Sequence, residues 1–489
     1  MALTTGELRD VLKGARLLGA ADITLSGVTH DSTRVSPGDL YCSISGHRSD
    51  ARQYISDAVA RGAAAVLMEP PADTTAQTQI LVPSARESLA HAADVIYGSP
   101  DPGDVPCIGI TGTNGKTTTA YIMRAILSSA GLAPALVGSI EAAWGKSSEE
   151  ALNTTPEAGD LSEFWCRARA GGAKALIMEA SSHGLLLHRA DRIGFTIGVF
   201  TNLTRDHLDY HPNLDAYRGA KTRLFGMLPR RGHAVLACDD PAWPHFARAT
   251  RARVTTFGTS QKADVRAIDI RVTADGIEFT LQQKKRKLKL KSRLFGRINV
   301  ANITAAGAVG IVMGLTDEDI IGGIADMEAV PGRAERVDCG QPFVVLNDFA
   351  HTPDALERML HAARELTPGR LHILFGCGGD RDSGKRPEMG RIAGALADRV
   401  TVTSDNPRTE NPQAILDQIV APLGAREDLS VEVDRTAAIA AAVRVQEAGD
   451  TLIIAGKGHE RYQIIGTTKH SYDDTEVLRS ELKRSGYGQ

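Results

Sequence analysis

The stretch GITGTNGKTTTAYIM, Gly109 to Met123, decides how the rest of the chain is read. A full phosphate loop spells Gly, four residues, then Gly-Lys-Ser/Thr. Gly115-Lys116-Thr117 meets the end of that pattern, but Ile110 stands where the first glycine belongs and the nearer glycine is Gly112. The loop is a shortened variant, and its flanks carry the reading. Val105 to Ile110 reads as a short buried strand; Ile122, Met123, Ile126 and Leu127 give the apolar ridge of a helix that Gly131 is placed to cap. Strand, glycine turn and helix N-terminus together aim backbone N–H groups and the positive end of a helix dipole at one anion. Gly112, Thr113, Asn114, Gly115, Lys116, Thr117 and Thr118 are the predicted cradle. In it Lys116 is a point charge for the outer phosphates, and the Thr117 hydroxyl can complete a Mg²⁺ shell.

Working outward, 489 residues predict two to four domains with ample core. A 42% hydrophobic, 24% charged composition is that of a soluble globular protein, and a net charge of −3 gives no electrostatic case for nucleic-acid or membrane partners. There is no apolar run of transmembrane length and no basic-then-apolar leader, so a cytoplasmic enzyme that does not insert in a membrane is expected. Cys42, Cys107, Cys166, Cys238, Cys339 and Cys377 lack paired metal-ligand spacing and read as reduced thiols.

Ser99 to Asp104 has linker composition, and a second break falls near Val330-Pro331-Gly332-Arg333, after a helical stretch from Ala301 to Gly314. Predicted domains are therefore 1–102, 103–331 and 332–489, each of ordinary size. Strands alternate with helical segments through the second and third blocks, which argues an α/β fold with parallel sheets. Lys284 to Lys291 interleaves lysines with Leu288 and Leu290 at strand spacing, the pattern of a lysine-guarded edge strand.

In open parallel sheets, ligands sit beyond the carboxyl ends of the strands. One strand-like run ends in Glu179, followed by Ala180-Ser181-Ser182-His183; another leads through Thr201-Asn202-Leu203 to Asp206-His207. Thr117, Glu179 and His207 are the candidate Mg²⁺ ligands. In the third block, strand-like runs lead to Asp348, to Gly378-Gly379-Asp380-Arg381, to Asp405-Asn406-Pro407-Arg408 and to Gly456-Lys457-Gly458-His459-Glu460. Arginines for carboxylates and acids for ammonium groups together suit an amino acid.

These motifs resemble the Mur ligase family of ATP-dependent enzymes that build the peptide stem of bacterial cell-wall precursors. The resemblance rests on Thr111 to Thr118, Glu179 with Ser181-Ser182-His183, Thr201-Asn202-Leu203 with Asp206-His207, Asn299 and Asn302, Asp348 with Ala350-His351, and Gly456 to Glu460, spread over all three blocks. It implies a small α/β N-terminal domain that binds UDP, a central P-loop parallel-sheet ATPase domain and a Rossmann-like C-terminal domain that binds the amino acid. It also implies that Asn302, Arg333 and Asp348 join the phosphate loop around ATP, with Lys116, Glu179, His207 and Lys221 catalytic and Lys221 carbamylated to an N6-carboxylysine.

By the same resemblance His30, Ser32, His47, Arg48, Ser49, Asn153, Thr154, Thr155, Ser181 and Arg189 hold a UDP-N-acetylmuramoyl-dipeptide. Asp405-Asn406-Pro407-Arg408 is similar to the signature of members that add meso-diaminopimelate, whose extra carboxylate Arg408 would grip. Arg381, Gly456 and Glu460 would hold the rest of that amino acid. Implied, then, is an amide ligase passing through an acyl phosphate, with Mg²⁺ as cofactor, ATP as co-substrate and a monomeric state. Two alternatives stay open at this point: a lysine-adding or natural-product ligase of the same scheme, and a nucleotide-switch binding protein without ligase chemistry. Because acyl phosphates hydrolyse, the third block is expected to close on the second, hinging near Pro331 and the 99–104 linker.

Overall fold

In the computed structural model, residues 3–44, 50–72, 76–98, 105–207 and 210–488 are described. His47, Arg48, Ser49 and the 99–104 linker lie outside them. The chain forms two compact units: Met1–Arg266 with Gln282–Arg286 and Asn302–Gly323, and Ala267–Leu281 with Lys287–Ala301 and Ile324–Gln489.

Two sheets dominate the first unit, beside a small pairing of Leu3–Thr4 with Thr24–Leu25. In the smaller, strands Arg16–Leu18, Gln79–Leu81, Ala65–Met68, Leu40–Cys42 and Val28–Thr29 lie side by side in that order, all parallel except the first. Leu40, Cys42, Leu67 and Ile80 from this sheet pack with Leu89, Ala92 and Ala93 of the helix Ala85–Tyr97.

The larger sheet is centred on Cys107–Thr111, with Ala175–Glu179 on one side and Ile197–Phe200 on the other, both parallel to it. Pro134–Val137 continues the parallel set beyond Ala175–Glu179, and His233–Ala237 and Arg253–Gly258 continue it beyond Ile197–Phe200. These strands are apolar almost throughout, as a sheet covered on both faces requires. Ile108, Ile110, Leu176, Ile177 and Val199 are fully buried. The parallel register puts Glu179 beside Ile110 and Phe200 beside Thr111, so three strands end together at the phosphate loop.

The predicted lysine-guarded strand is Arg286–Ser292, the last in its sheet order, with Leu288, Leu290 and Ser292 buried and the lysines between them exposed. The helix expected from Ala301 to Gly314 runs Ile298–Val312 instead. It starts earlier, where Asn299 N–H donates to the Gly296 carbonyl, and stops before Gly314, which takes φ +76°.

The second unit is built on a six-stranded sheet in the order Glu335–Arg336, Val344–Asp348, Thr451–Ala455, Leu371–Phe375, Arg399–Thr403 and Leu429–Glu432. All pairings are parallel except the first. Alternation sorts its side chains: Ile373, Phe375, Val400 and Ile453 enter one core, while Val345, Leu374, Leu452 and Ile454 enter another. With both faces buried, the polar ends of Val344–Asp348, Thr451–Ala455, Leu371–Phe375 and Arg399–Thr403 are what this unit offers to a ligand.

Candidate active site

The helix Lys116–Ser129 starts at Gly115, whose φ of +84° is the left-handed turn that lets a strand reverse into a helix. A Cβ on Gly115 would run into the Asn302 side chain, and one on Gly112 into the Thr201 hydroxyl, so both glycines are fixed by close approach. The loop is braced mainly by neutral groups. Asn114 N–H donates to Asn202 Oδ1 (2.9 Å) and Thr113 N–H to the Asn202 carbonyl (2.9 Å). The Asn114 carbonyl accepts from Thr201 Oγ1 (2.7 Å) and Asn202 Nδ2 (3.0 Å). From Lys116 onward the amides belong to the first turn of the helix, whose N–H groups lack intrahelical partners. Thr119 Oγ1 reaches Asn302 Oδ1 at 3.4 Å.

Two lysines meet on one carbonyl. Lys116 Nζ donates to the Gly112 and Thr113 carbonyls (3.0 and 2.9 Å), and Lys221 Nζ to Gly112 O at 2.7 Å. Lys221, on the helix Leu214–Gly226, is 1% exposed and lies over the Tyr217 ring. Burial first, then the Lys116 charge, drives its amine well below the ordinary lysine range.

Glu179, 1% exposed, accepts from Thr117 Oγ1 (2.9 Å) through Oε2 and from Ser139 N–H (2.8 Å) through Oε1. Ser139 Oγ also donates to Oε2 (3.2 Å). A buried carboxylate whose partners are hydroxyls and an amide, next to a phosphate-loop threonine, is a hard-oxygen donor set of the kind Mg²⁺ takes. Thr117 and Glu179 therefore fit the ion. His207 stands differently: its side chain is 48% exposed, its φ is +52°, and its ring meets His183 edge-on. Among the described residues no three His, Cys, Asp or Glu side chains form a ready metal cluster.

Around this centre, Thr155 Oγ1 donates to the Glu179 carbonyl (2.8 Å) and accepts from Ser181 N–H (3.0 Å). Ser181 caps the short helix Ser182–Leu186. Thr154 Oγ1 shares a hydrogen bond with Ser139 Oγ, Asn153 is exposed, and Arg189 pairs with Glu157 and donates to the Thr155 carbonyl. His30 and Ser32 flank Asp31 at the end of the strand Val28–Thr29, with His30 Nδ1 4.0 Å from Asp160.

In the second unit, Asp348 accepts from Ala334 and Ala350 N–H, and Arg333 lies over the Phe349 ring. Asp405, Asn406, Lys457 and Glu460 form one cluster. Asn406 Nδ2 donates to Glu460 Oε2 (2.9 Å), and Lys457 Nζ lies 3.0 Å from Asn406 Oδ1, 3.5 Å from Glu460 Oε2 and 3.7 Å from Asp405 Oδ1. Burial raises the Glu460 carboxyl above its usual range, against the pull of Lys457.

Arg408 has φ +52°, a conformation that costs a non-glycine residue roughly 1–2 kcal/mol. It is held there from both sides of its backbone: Arg408 N–H donates to Ile464 O (3.0 Å), and Gly466 N–H to Arg408 O (2.7 Å). Its half-buried guanidinium donates to Gly379 O (2.8 Å). Pro407 is buried beside it, Gly456 packs its backbone on Asp405, and Arg381 is exposed. Arg386, buried, binds Glu410 through two hydrogen bonds of 2.9 Å and so ties the 378–380 turn to the 405–410 turn.

Three family models cover this geometry in chain order. Those described as Mur ligase family, catalytic domain; Mur ligase middle domain; and Mur ligase, glutamate ligase domain match residues 24–97, 110–310 and 332–458. The UDP-N-acetylmuramoyl-L-alanyl-D-glutamate--2,6-diaminopimelate ligase of Solibacter usitatus (strain Ellin6076) is 43% identical over 497 residues, covering 100% of both chains. The chain belongs to the Mur ligase family. The like-named ligase of Geobacter metallireducens (strain ATCC 53774 / DSM 7210 / GS-15) is 42% identical and covers 99% of each chain. A solved structure of a ligase of that name aligns with a TM-score of 0.72 at 29% identity over 100% of both chains. MurF from Acinetobacter baumannii shares the fold, with a TM-score of 0.66 at 18% identity over 99% of each chain.

Membership in the Mur ligase family leaves several neighbours of the site that sequence reasoning passed over. Ser139 sits in a turn without a motif, yet gives Glu179 two of its hydrogen bonds. Tyr217 is fully buried with its hydroxyl 3.3 Å from Thr113 Oγ1. Lys457 stood inside a quoted motif without a role, and its place among Asp405, Asn406 and Glu460 is visible only once the strands are assembled.

Proposed function

We propose that this chain is the ATP-dependent amide ligase that joins meso-2,6-diaminopimelate to UDP-N-acetylmuramoyl-L-alanyl-D-glutamate in peptidoglycan precursor synthesis. The observation that carries the reading is full-length identity of 43% to a ligase bearing that name, in a chain whose Arg408 guanidinium is held on the Gly379 carbonyl. A guanidinium there suits the second carboxylate of diaminopimelate, which lysine lacks.

In this reading the D-glutamyl side-chain carboxylate attacks the γ-phosphorus of ATP. An acyl–O–P bond forms, the bond to the β-phosphate oxygen breaks, and ADP leaves. The diaminopimelate amine then attacks the acyl carbon, the carbon–oxygen bond to phosphate breaks, and amide, phosphate and a proton are released. Residues Gly112 to Thr118, with Asn302, would cradle the phosphates, while Lys116 would turn from the Gly112 and Thr113 carbonyls toward the outer phosphates. Thr117 and Glu179, with His207, would hold Mg²⁺, which supplies charge neutralisation of the transferring phosphoryl group.

Lys221 would act as the carbamate. Its depressed amine is neutral enough to add carbon dioxide, and the resulting anion would relieve the clash with Lys116. The 1–102, 103–331 and 332–489 division assigns UDP, ATP and amino acid to successive domains. His30, Ser32, His47, Arg48, Ser49, Asn153, Thr154, Thr155, Ser181 and Arg189 hold the UDP substrate, and Arg381, Asp405 to Arg408, Gly456 and Glu460 hold the amino acid. No described helix is long and apolar enough to cross a membrane; a cytoplasmic monomer is the proposed state.

The test is phosphate release with ATP and the UDP-dipeptide, with meso-diaminopimelate or lysine as acceptor. Release that depends on diaminopimelate, with lysine poor, supports the reading. Preference for lysine leaves only a generic ligase, and release indifferent to any amino acid favours a nucleotide switch.

A further inference from the structure

Lys457 is the one member of the Asp405–Asn406–Glu460 cluster to which the proposed function gives no task. It follows the strand Thr451–Ala455, and its side chain is 0% exposed. Its ammonium donates to Asn406 Oδ1 (3.0 Å) and to the Tyr462 carbonyl (2.7 Å), with Glu460 and Asp405 carboxylate oxygens at 3.5 and 3.7 Å. An ammonium buried this deeply is costly unless the groups around it need it.

What they need can be read from Asn406. Its Oδ1 accepts twice, from Lys457 Nζ and from Ile464 N–H (2.9 Å). Both donors carry only hydrogens to give, so the amide cannot be flipped, and Nδ2 must point to Glu460 Oε2. That contact occupies one oxygen of Glu460 and leaves Oε1 without a partner among the described residues. The charges add up in the same direction. Two carboxylates and one ammonium leave the cluster one negative charge, which a single ammonium of an amino acid neutralises. Burial raises the Glu460 carboxyl, and the Lys457 charge opposes that rise while the Asp405 charge adds to it.

We infer that Lys457 is a positioning residue for the amino-acid substrate: from beneath the site it fixes the amide of Asn406 and the carboxylates of Asp405 and Glu460 so that they receive one substrate ammonium. The inference rests on the proposed amino-acid site in this unit, and its test separates the two. Full-length Lys457→Met keeps the aliphatic stem and removes the charge. Lys457→Gln retains a donor for Asn406 Oδ1 without charge, and serves if the methionine variant does not fold.

Steady-state KM is measured for meso-diaminopimelate, ATP and the UDP-dipeptide in turn. The expected result is a KM for diaminopimelate raised about tenfold to a hundredfold, the size of a lost contact to a charged group, with the other two within about twofold. An unchanged KM for diaminopimelate, or three KM values rising together, overturns the inference. If the unaltered protein uses a different amino acid, the proposed substrate fails, and the same KM split for that amino acid still decides whether Lys457 positions it.

Discussion

Around Gly112 the chain holds its shape largely with neutral groups: Thr201, Asn202 and Thr113 brace the phosphate loop, and Glu179 is met by hydroxyls and an amide. Around Asn406 the strand ends are held by buried charge. Lys457 lies under Asp405 and Glu460; Arg386 grips Glu410. Fully buried Arg435 pairs with Asp474 while donating to the carbonyls of Ser404 and Ala455, the residues just before Asp405 and Gly456. The difference follows from the ligands each region is proposed to take. A polyphosphate brings its own negative charge and needs donors and a cation, so a second set of fixed anions would repel it. A zwitterion needs charges of both signs within a few ångströms, and those must be locked against one another before it arrives.

That contrast predicts where each region breaks. The largest effect is expected at two buried ionisable groups beside the loop, Glu179 and Lys221. Glu179→Gln and Lys221→Ala should each lower phosphate release by about a thousandfold or more, with thermal midpoints close to the unaltered protein's. For Lys221→Ala, a short-chain carboxylic acid should restore part of the rate, and no rescue would count against the carbamate. The pH dependence has a definite sign. Burial and Lys116 depress the Lys221 amine, so it is neutral above its lowered pKa and protonates as pH falls through it. Carbamate, and activity with it, should be lost on the acid side and recover with added bicarbonate.

Next comes the charged scaffold. Arg435→Met leaves Asp474 buried without its partner and should lower unfolding free energy by about 3 kcal/mol, read by denaturant titration. Adding Asp474→Leu should recover much of that loss, because removing both charges also removes the desolvation cost. Smaller again, Arg408→Ala should raise KM for diaminopimelate by about tenfold to a hundredfold and leave lysine, a poor acceptor, nearly unchanged. The smallest effect is expected in the neutral scaffold. Thr201→Val removes one hydroxyl bond to Asn114 and should cost about 1 kcal/mol of stability, which a matching loss at Arg435 would contradict.

The two regions also differ in how far they could be read before folding. The phosphate loop is a local pattern: strand, glycines, lysine and helix lie within Gly109–Met123, and the structure builds the helix Lys116–Ser129 where the apolar ridge placed it. Alternating strands and helices likewise announce parallel sheets. Glu179 and His207 are singled out by asking which strands end in polar residues, and the parallel register does bring the ends of Cys107–Thr111, Ala175–Glu179 and Ile197–Phe200 together.

What stayed hidden depends on sheet order, which no short window contains. Arg435 and Asp474 are 39 residues apart, Asn406 and Lys457 are 51, and Arg386 and Glu410 are 24. The first two pairs depend on Thr451–Ala455 inserting between Val344–Asp348 and Leu371–Phe375 rather than following Leu429–Glu432 at the sheet edge; the third joins the segments after the neighbouring strands Leu371–Phe375 and Arg399–Thr403. Ser139 was missed for the opposite reason: its turn is local but chemically plain, and only the arrival of Glu179 gives it work.

The central claim is that the first unit activates a carboxylate by phosphorylating it before any amine is used. It is tested most directly with UDP-N-acetylmuramoyl-L-alanyl-D-glutamate carrying ¹⁸O in the D-glutamyl side-chain carboxylate, turned over with ATP and meso-diaminopimelate. The account predicts that the released phosphate carries one ¹⁸O atom per amide formed. Unlabelled phosphate, with all the ¹⁸O left in the peptide or in water, would contradict it.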